Sequence, residues 1–71
     1  MIIDALAIFI KTKRKELNIT QIELAEKAGV GLRFIRDCEQ GKESLRMDKV
    51  NQILLLFGSR LGPIKITDDE L

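Results

Sequence analysis

Two arginines that lie three residues apart, Arg33 and Arg36, are the side chains in this sequence best suited to binding a large polar ligand. An arginine guanidinium presents paired N–H donors that match the O6 and N7 acceptors of guanine in the major groove of DNA. Both arginines follow a tight turn that contains Gly29 and Gly31. We interpret Arg33 as the first candidate for reading a DNA base and Arg36 as the second.

Other residues around the arginines could contact a base or a phosphate. Leu32 has two interpretations, because its side chain can touch a thymine methyl group or pack against the turn. Thr20 and Gln21 open the preceding helix, where backbone amides and the positive end of the helix dipole favour a phosphate. Lys42 and Arg46 follow the arginine segment and are further candidates for phosphate contacts. Each of these two cations could equally be a solvated surface charge.

Local signals in residues 20–41 predict the two helices that would carry these side chains. Thr20 followed by Glu23 is a capping box, which begins a helix at position 21. Gly29 can adopt the left-handed conformation where that helix must stop, and Gly41 ends the second helix. In a helix-turn-helix of this size, the second helix enters the major groove and the first crosses the phosphate backbone.

An opening helix is predicted from apolar spacing, and one charged residue lies within its apolar stripe. Its stripe recurs at intervals of four and three residues, through Ile3, Ala7, Ile10, Arg14 and Leu17. A guanidinium in such a stripe needs a partner, because an unpaired buried charge is very costly. Glu39 lies on the inner side of the third predicted helix. We predict that Arg14 and Glu39 pair and lock the first helix to the third; the alternative is that both reach solvent.

The C-terminal part of the chain is predicted to contain a fourth helix and an extended tail. The helix has an apolar stripe at helical spacing that ends before Gly58: Met47, Val50, Ile53, Leu54 and Phe57. Beyond it, Ile64, Lys65 and Ile66 alternate as in a short β-strand, although a lone strand is unstable. The alternative is a disordered, acidic C-terminus. We therefore divide the chain into a domain over residues 1–58 and an extension over residues 59–71.

Composition narrows the possible functions. The chain has 12 Lys and Arg and 11 Asp and Glu, yet residues 1–66 hold all the basic residues and only 8 of the acids. This modest excess of positive charge is weaker than in many DNA-binding proteins, and a solvated surface of mixed charge would look similar. With one cysteine and no histidine, the sequence predicts no disulfide framework and no zinc-finger ligand set.

The same composition gives no support for an enzyme or a membrane protein. No nucleophile, general base and cofactor loop come together, so we expect no catalytic site, metal or cofactor. The apolar segment near the N-terminus, residues 5–10, is too short to span a bilayer, and we expect a cytoplasmic protein. A chain of 71 residues is marginally stable alone and would gain from dimerisation.

Three segments resemble the XRE family of lambdoid phage repressors and Cro proteins: residues 13–25, KRKELNITQIELA; residues 28–30, AGV; and residues 39–42, EQGK. The resemblance covers residues 2–58 and implies an all-α, lambda-repressor-like DNA-binding domain of four or five helices. It also implies that Gln21 contacts a phosphate and that Gly31, Leu32 and Arg33 face the bases. Gly31 and Leu32 depart from the polar residues that are common there.

A narrower resemblance concerns residues 29–35, GVGLRFI, and 45–50, LRMDKV, which look like HipB-group antitoxins. Those proteins accompany HipA-type kinase toxins. The resemblance implies a homodimer whose C-terminal strands pair, a palindromic operator of double-stranded DNA, and a HipA-like kinase partner. It also implies repression of the protein's own operon.

Three hypotheses for the function follow. The first is a dimeric transcriptional repressor that is the HipB-like antitoxin of an operon it regulates. The second is a free-standing phage-type or metabolic repressor that uses the same residues. The third is a helical protein-interaction module without DNA binding, which the weak net charge and Leu32 favour and which Gln21, Arg33 and Arg36 oppose.

Overall fold

Four α-helices form the body of the computed structural model, which describes residues 4–70. They are α1 (Ala5–Glu16), α2 (Gln21–Ala28), α3 (Leu32–Glu39) and α4 (Met47–Leu55). A single 3-10 turn, Asp68–Glu70, comes near the end of the chain. The all-α architecture expected from the sequence is confirmed. None of the helices described is long and apolar enough to cross a membrane.

The first two helices begin at side chains that cap them. The Oδ1 of Asp4 accepts a hydrogen bond from the backbone N–H of Ala7 at 3.0 Å. At the start of α2, the Thr20 hydroxyl accepts from the Glu23 amide at 3.1 Å, and the Glu23 carboxylate accepts from the Thr20 amide at 2.9 Å. This reciprocal pair is the predicted capping box, and it satisfies two amides that the helix itself leaves without partners.

Residues with positive φ end the helices and redirect the chain. Gly29 has φ 73° after α2, and Gly41 has φ 81° after α3. Both were predicted as helix ends, because glycine adopts this conformation without the cost that a Cβ adds. Asn18 ends α1 in the same way with φ 57°, which the sequence analysis did not anticipate.

The end of α3 lies directly beside the start of α1. The Gly41 amide donates to the Cys38 carbonyl at 3.2 Å, and the Lys42 amide donates to the Asp37 carbonyl at 3.0 Å. A Cβ added at position 41 would lie 2.9 Å from the Oδ2 of Asp4. A side chain at position 41 would therefore force the Asp4 carboxylate to move.

All four helices contribute to one apolar core. Its buried members are Ile10, Leu24, Ala25, Ala28, Ile35, Cys38, Val50, Ile53 and Leu54. The rings of Phe9 and Phe57 pack edge to face beside it, with centroids 6.2 Å apart. Burial raises the pKa of the Cys38 thiol to about 11, assisted by the neighbouring carboxylates of Asp37 and Glu39. Cys38 is therefore a protonated core residue at neutral pH.

Two residues of the predicted apolar stripes do not join the core. Leu17 is exposed because it follows the last residue of α1, and Met47 is exposed at the first position of α4. An end position has no neighbouring turn to enclose its side chain. Ile3, the first residue of the predicted stripe in α1, lies outside the described residues.

The predicted β-strand is not present in the single chain. Residues 59–67 have neither helical nor strand structure, and the described part of the chain contains no other strand with which Ile64, Lys65 and Ile66 could pair. The tail runs back past α4, where the Leu61 amide donates to the Oδ1 of Asn51 at 2.7 Å. Ile64 is left 85% exposed.

Candidate nucleic-acid interface

The second and third helices are held in position by an ion pair between α1 and α3. The Nε of Arg14 donates to the Oε2 of Glu39 at 2.7 Å, and its Nη2 donates to the Oε1 at 3.0 Å. A third donor, Nη1, reaches the carbonyl of Ile19 at 2.9 Å. The two side chains are only 13% and 4% exposed, so they are shielded from solvent. One guanidinium thus connects α1, the loop before α2, and α3.

Both members of this pair are charged at neutral pH. The hydrogen bond to Glu39 raises the pKa of Arg14, although burial opposes it. Burial alone would raise the pKa of Glu39, but the hydrogen bonds from Arg14 and Gln21 and the Arg14 charge outweigh it. The pKa of Glu39 therefore lies below its usual value.

The two candidates for phosphate contact at the start of α2 are partly engaged by other residues. The Nε2 of Gln21 donates to the Oε1 of Glu39 at 3.2 Å, a contact that the sequence analysis missed. Since the Thr20 amide already donates to Glu23, the Thr20 hydroxyl proton is the donor that this residue can offer to a ligand. Gln21 retains a second side-chain N–H, because each amide nitrogen carries two hydrogens.

The outer face of α3 carries the candidate base-reading residues, and the structure separates them by exposure. The Arg33 side chain is 89% exposed, and Arg36 is also exposed. Leu32 is half-buried and packs against the core, which limits how far it could reach towards a base. Ile35 and Cys38 occupy the opposite, buried face of the helix.

Acidic side chains lie between the basic candidates on this surface. Asp37 is within 3.5 Å of the Arg33 Nε and within 3.7 Å of the Lys42 Nζ. Farther along, Arg46 donates to the carboxylate of Asp48 at 2.7 and 3.2 Å. These pairs were not predicted from the sequence, although the separation of four residues between Arg33 and Asp37 is a known signal on a helix.

The surface combines exposed donors with a rigid support. Its guanidinium and ammonium groups can bind phosphates, and a guanidinium can also bind the edge of a guanine. No group of three or more cysteine and acidic side chains within residues 4–70 is arranged to hold a metal ion.

Comparison with known proteins matches the part of the chain that contains α2 and α3. A family model described as "Helix-turn-helix" matches residues 10–64. The HTH-type transcriptional regulator y4mF of Sinorhizobium fredii is 51% identical to the chain over 49 residues. The aligned region covers 69% of this chain and 64% of that protein, which is slightly less than two thirds of its length. Because the family model covers most of the chain and includes all four helices in whole or in part, the chain belongs to the helix-turn-helix family of the XRE type.

Proposed function

We propose that the chain is a sequence-specific DNA-binding transcriptional regulator that places α3 in the major groove and α2 across the phosphate backbone. The observation that carries this proposal is the exposure of Arg33 and Arg36 on a helix whose opposite face is anchored in the core. The relative from Sinorhizobium fredii is named as a transcriptional regulator, which supports the same function.

The proposed contacts divide into base readers and phosphate binders. Arg33 and Arg36 read base edges, and Leu32 adds an apolar contact where its exposed portion meets a thymine methyl group. The phosphate binders are Thr20, Gln21, Lys42 and Arg46. Contacts of the second group set the position of the protein on DNA without carrying sequence information.

We propose that the regulator is a homodimer. Exposed apolar side chains on α4 and the tail, among them Met47, Leu55 and Ile64, would be covered by a second copy. Pairing of Ile64, Lys65 and Ile66 with the same residues of that copy would give each tail the strand neighbour that the single chain lacks. In this proposal, residues 1–58 bind DNA and residues 59–71 support assembly.

A two-fold dimer predicts a palindromic DNA site. We expect selection from a random duplex pool, followed by footprinting, to show two half-sites with centres about 34 Å apart, or roughly one helical turn. An Arg33→Ala/Arg36→Ala double variant is the control and should enrich no such palindrome. A protected single half-element bound by a monomer would contradict the dimer, and the absence of any enriched sequence would contradict sequence-specific binding.

The biological role that we propose is that of a HipB-like antitoxin which represses its own operon. Support comes from the resemblance over residues 29–35 and 45–50, and from exposed apolar side chains, such as Ile8 and Ile22, that a protein partner could cover. A free-standing repressor would use the same DNA contacts without such a partner.

The antitoxin role predicts a stable complex with a HipA-like kinase encoded next to this chain. We expect the two proteins to co-purify when they are expressed together, and the complex to bind the shared promoter more tightly than this chain alone, measured by gel shift. An unrelated kinase expressed in the same way is the control. If the neighbouring gene encodes no such kinase and pull-downs recover no partner, the free-standing repressor is the better proposal.

A further inference from the structure

The Asp37 carboxylate lies between two cations on the surface that we propose binds DNA. Its Oδ1 is 3.5 Å from the Nε of Arg33, and its Oδ2 is 3.7 Å from the Nζ of Lys42. The Asp37 side chain is 20% exposed, whereas that of Arg33 is 89% exposed. The acid therefore stays close to the helix while the guanidinium extends beyond it.

The backbone places Lys42 beside the same aspartate. Its amide donates to the Asp37 carbonyl at 3.0 Å, and the preceding Gly41 turns the chain with φ 81°. The main chain and the side chain of Lys42 therefore both contact Asp37. Lys42 is held next to Asp37 by the way α3 ends, and the contact between their side chains adds to that placement.

The atom that Asp37 approaches determines which donors of Arg33 remain available. A guanidinium has five N–H donors, of which one is on Nε and four are on the two Nη atoms. With the carboxylate next to Nε, the pair of Nη groups at the end of the side chain is left open. Guanine offers two adjacent acceptors, O6 and N7, which such a pair can bind together.

We propose that Asp37 is a positioning residue for DNA recognition, which directs the Nη groups of Arg33 towards guanine and restrains Arg33 and Lys42 from binding the phosphates of unrelated sequences. The inference rests on the proposed DNA-binding function. It makes Asp37 a determinant of specificity that itself contacts no base. Its negative charge weakens binding to every phosphate backbone, and its contact with Arg33 favours one base.

Binding by the full chain to a DNA site enriched from a random pool tests this role. The base pair to be compared contains the guanine that the wild type prefers and that Arg33→Ala no longer prefers. Four proteins are compared: the wild type, Asp37→Asn, Arg33→Ala and the double variant. The affinity of each is measured over a range of salt concentrations for that site, for the site with this base pair replaced, and for random duplex. Thermal melts verify that each variant is folded.

We expect Asp37→Asn to reduce the preference for that guanine by about 2- to 10-fold, within the range of coupling between neighbouring residues. Binding to random DNA should strengthen, with a log–log salt slope more negative by up to about one, because Lys42 becomes free to bind a phosphate. Arg33→Ala already lacks this preference, so adding Asp37→Asn in that background should change the preference at no other base pair of the site.

Glu16→Gln is the matched control, because Glu16 is also a carboxylate 3.5 Å from a basic side chain, that of Lys13, but lies on α1. It changes the net charge equally and should leave the base preference as in the wild type.

An unchanged preference in Asp37→Asn would overturn the inference. So would a loss of preference at another base pair that Asp37→Asn causes both with and without Arg33, since Asp37 would then read a base itself. A wild type with no preferred sequence would refute the proposed function and this inference together, whereas a preference that depends on Arg33 alone would refute only the inference.

Discussion

Removing either member of the Arg14–Glu39 pair is expected to destabilise the fold by about 3 to 5 kcal/mol, because the remaining charge would be buried without its partner. The two side chains are 13% and 4% exposed, so little solvent reaches them to compensate. A loss of this size is a large fraction of the roughly 5 to 15 kcal/mol that stabilises a typical domain. Chemical denaturation of Arg14→Met and Glu39→Leu would measure it.

The double variant Arg14→Met/Glu39→Leu should recover much of that loss, since two apolar side chains leave no unpaired charge. Asp48→Asn is the control, because Asp48 also lies 2.7 Å from an arginine but is 62% exposed. It should leave the melting temperature nearly unchanged, since exposed ion pairs contribute little. Small, additive losses from the two single variants at the buried pair would show that the residues act independently.

The same pair predicts how stability depends on pH. Because the pKa of Glu39 is lower in the folded protein than its ordinary value of 4.5, its contribution is fully present above that pH. The contribution is lost as the pH falls through the lower, folded value. Glu39→Leu should therefore show a smaller loss of stability between neutral and acidic pH than the wild type.

Replacing Arg33 by alanine is expected to reduce discrimination between DNA sequences by about 1 to 3 kcal/mol at each half-site. In a dimer bound to two half-sites, the combined loss would reach about 2 to 6 kcal/mol if the two contacts are independent. The reason is that the Arg33 side chain is 89% exposed on α3, and the edge of a guanine can bind its paired Nη groups.

Gln21→Ala should instead weaken binding to every sequence by a similar factor, because a phosphate contact carries no base information. Titrations of each variant with the selected site and with random duplex would separate the two effects. Melting curves of Gln21→Ala are a necessary control, since Gln21 also donates to Glu39 at 3.2 Å. Equal losses on both DNAs for Arg33→Ala would make Arg33 a phosphate contact.

Features that depend on neighbouring residues could be predicted from the sequence. The start of α2 follows from Thr20 and Glu23, because the capping box is satisfied within one turn. The left-handed Gly29 follows from the need to end that helix. The contact between Arg14 and Glu39, which are 25 residues apart, is an exception: it could be predicted because a charge within an apolar stripe has few ways to avoid an energetic penalty.

Features that depend on the relative placement of surfaces were harder to predict. The link between Asp37 and Lys42 forms only because the chain turns at Gly41, which brings the following residue back beside α3. Gln21 bonds to Glu39 because α2 and α3 pack together, and the sequence contains no local sign of that distance. The tail was predicted to be a β-strand and has no strand structure in the single chain, because a strand depends on a partner that a single chain need not supply.

The contact between Asp4 and Gly41 restricts how this protein could diverge or be redesigned. One carboxylate oxygen of Asp4 caps α1, and the other occupies the space where a Cβ at position 41 would lie. Any residue other than glycine at position 41 would be strained by the φ of 81° whatever residue stands at position 4, and its Cβ would also push the Asp4 carboxylate away. The two positions are 37 residues apart in the sequence, yet the fold brings them into contact. A library that randomises the end of α3 should therefore keep glycine at position 41 and aspartate at position 4.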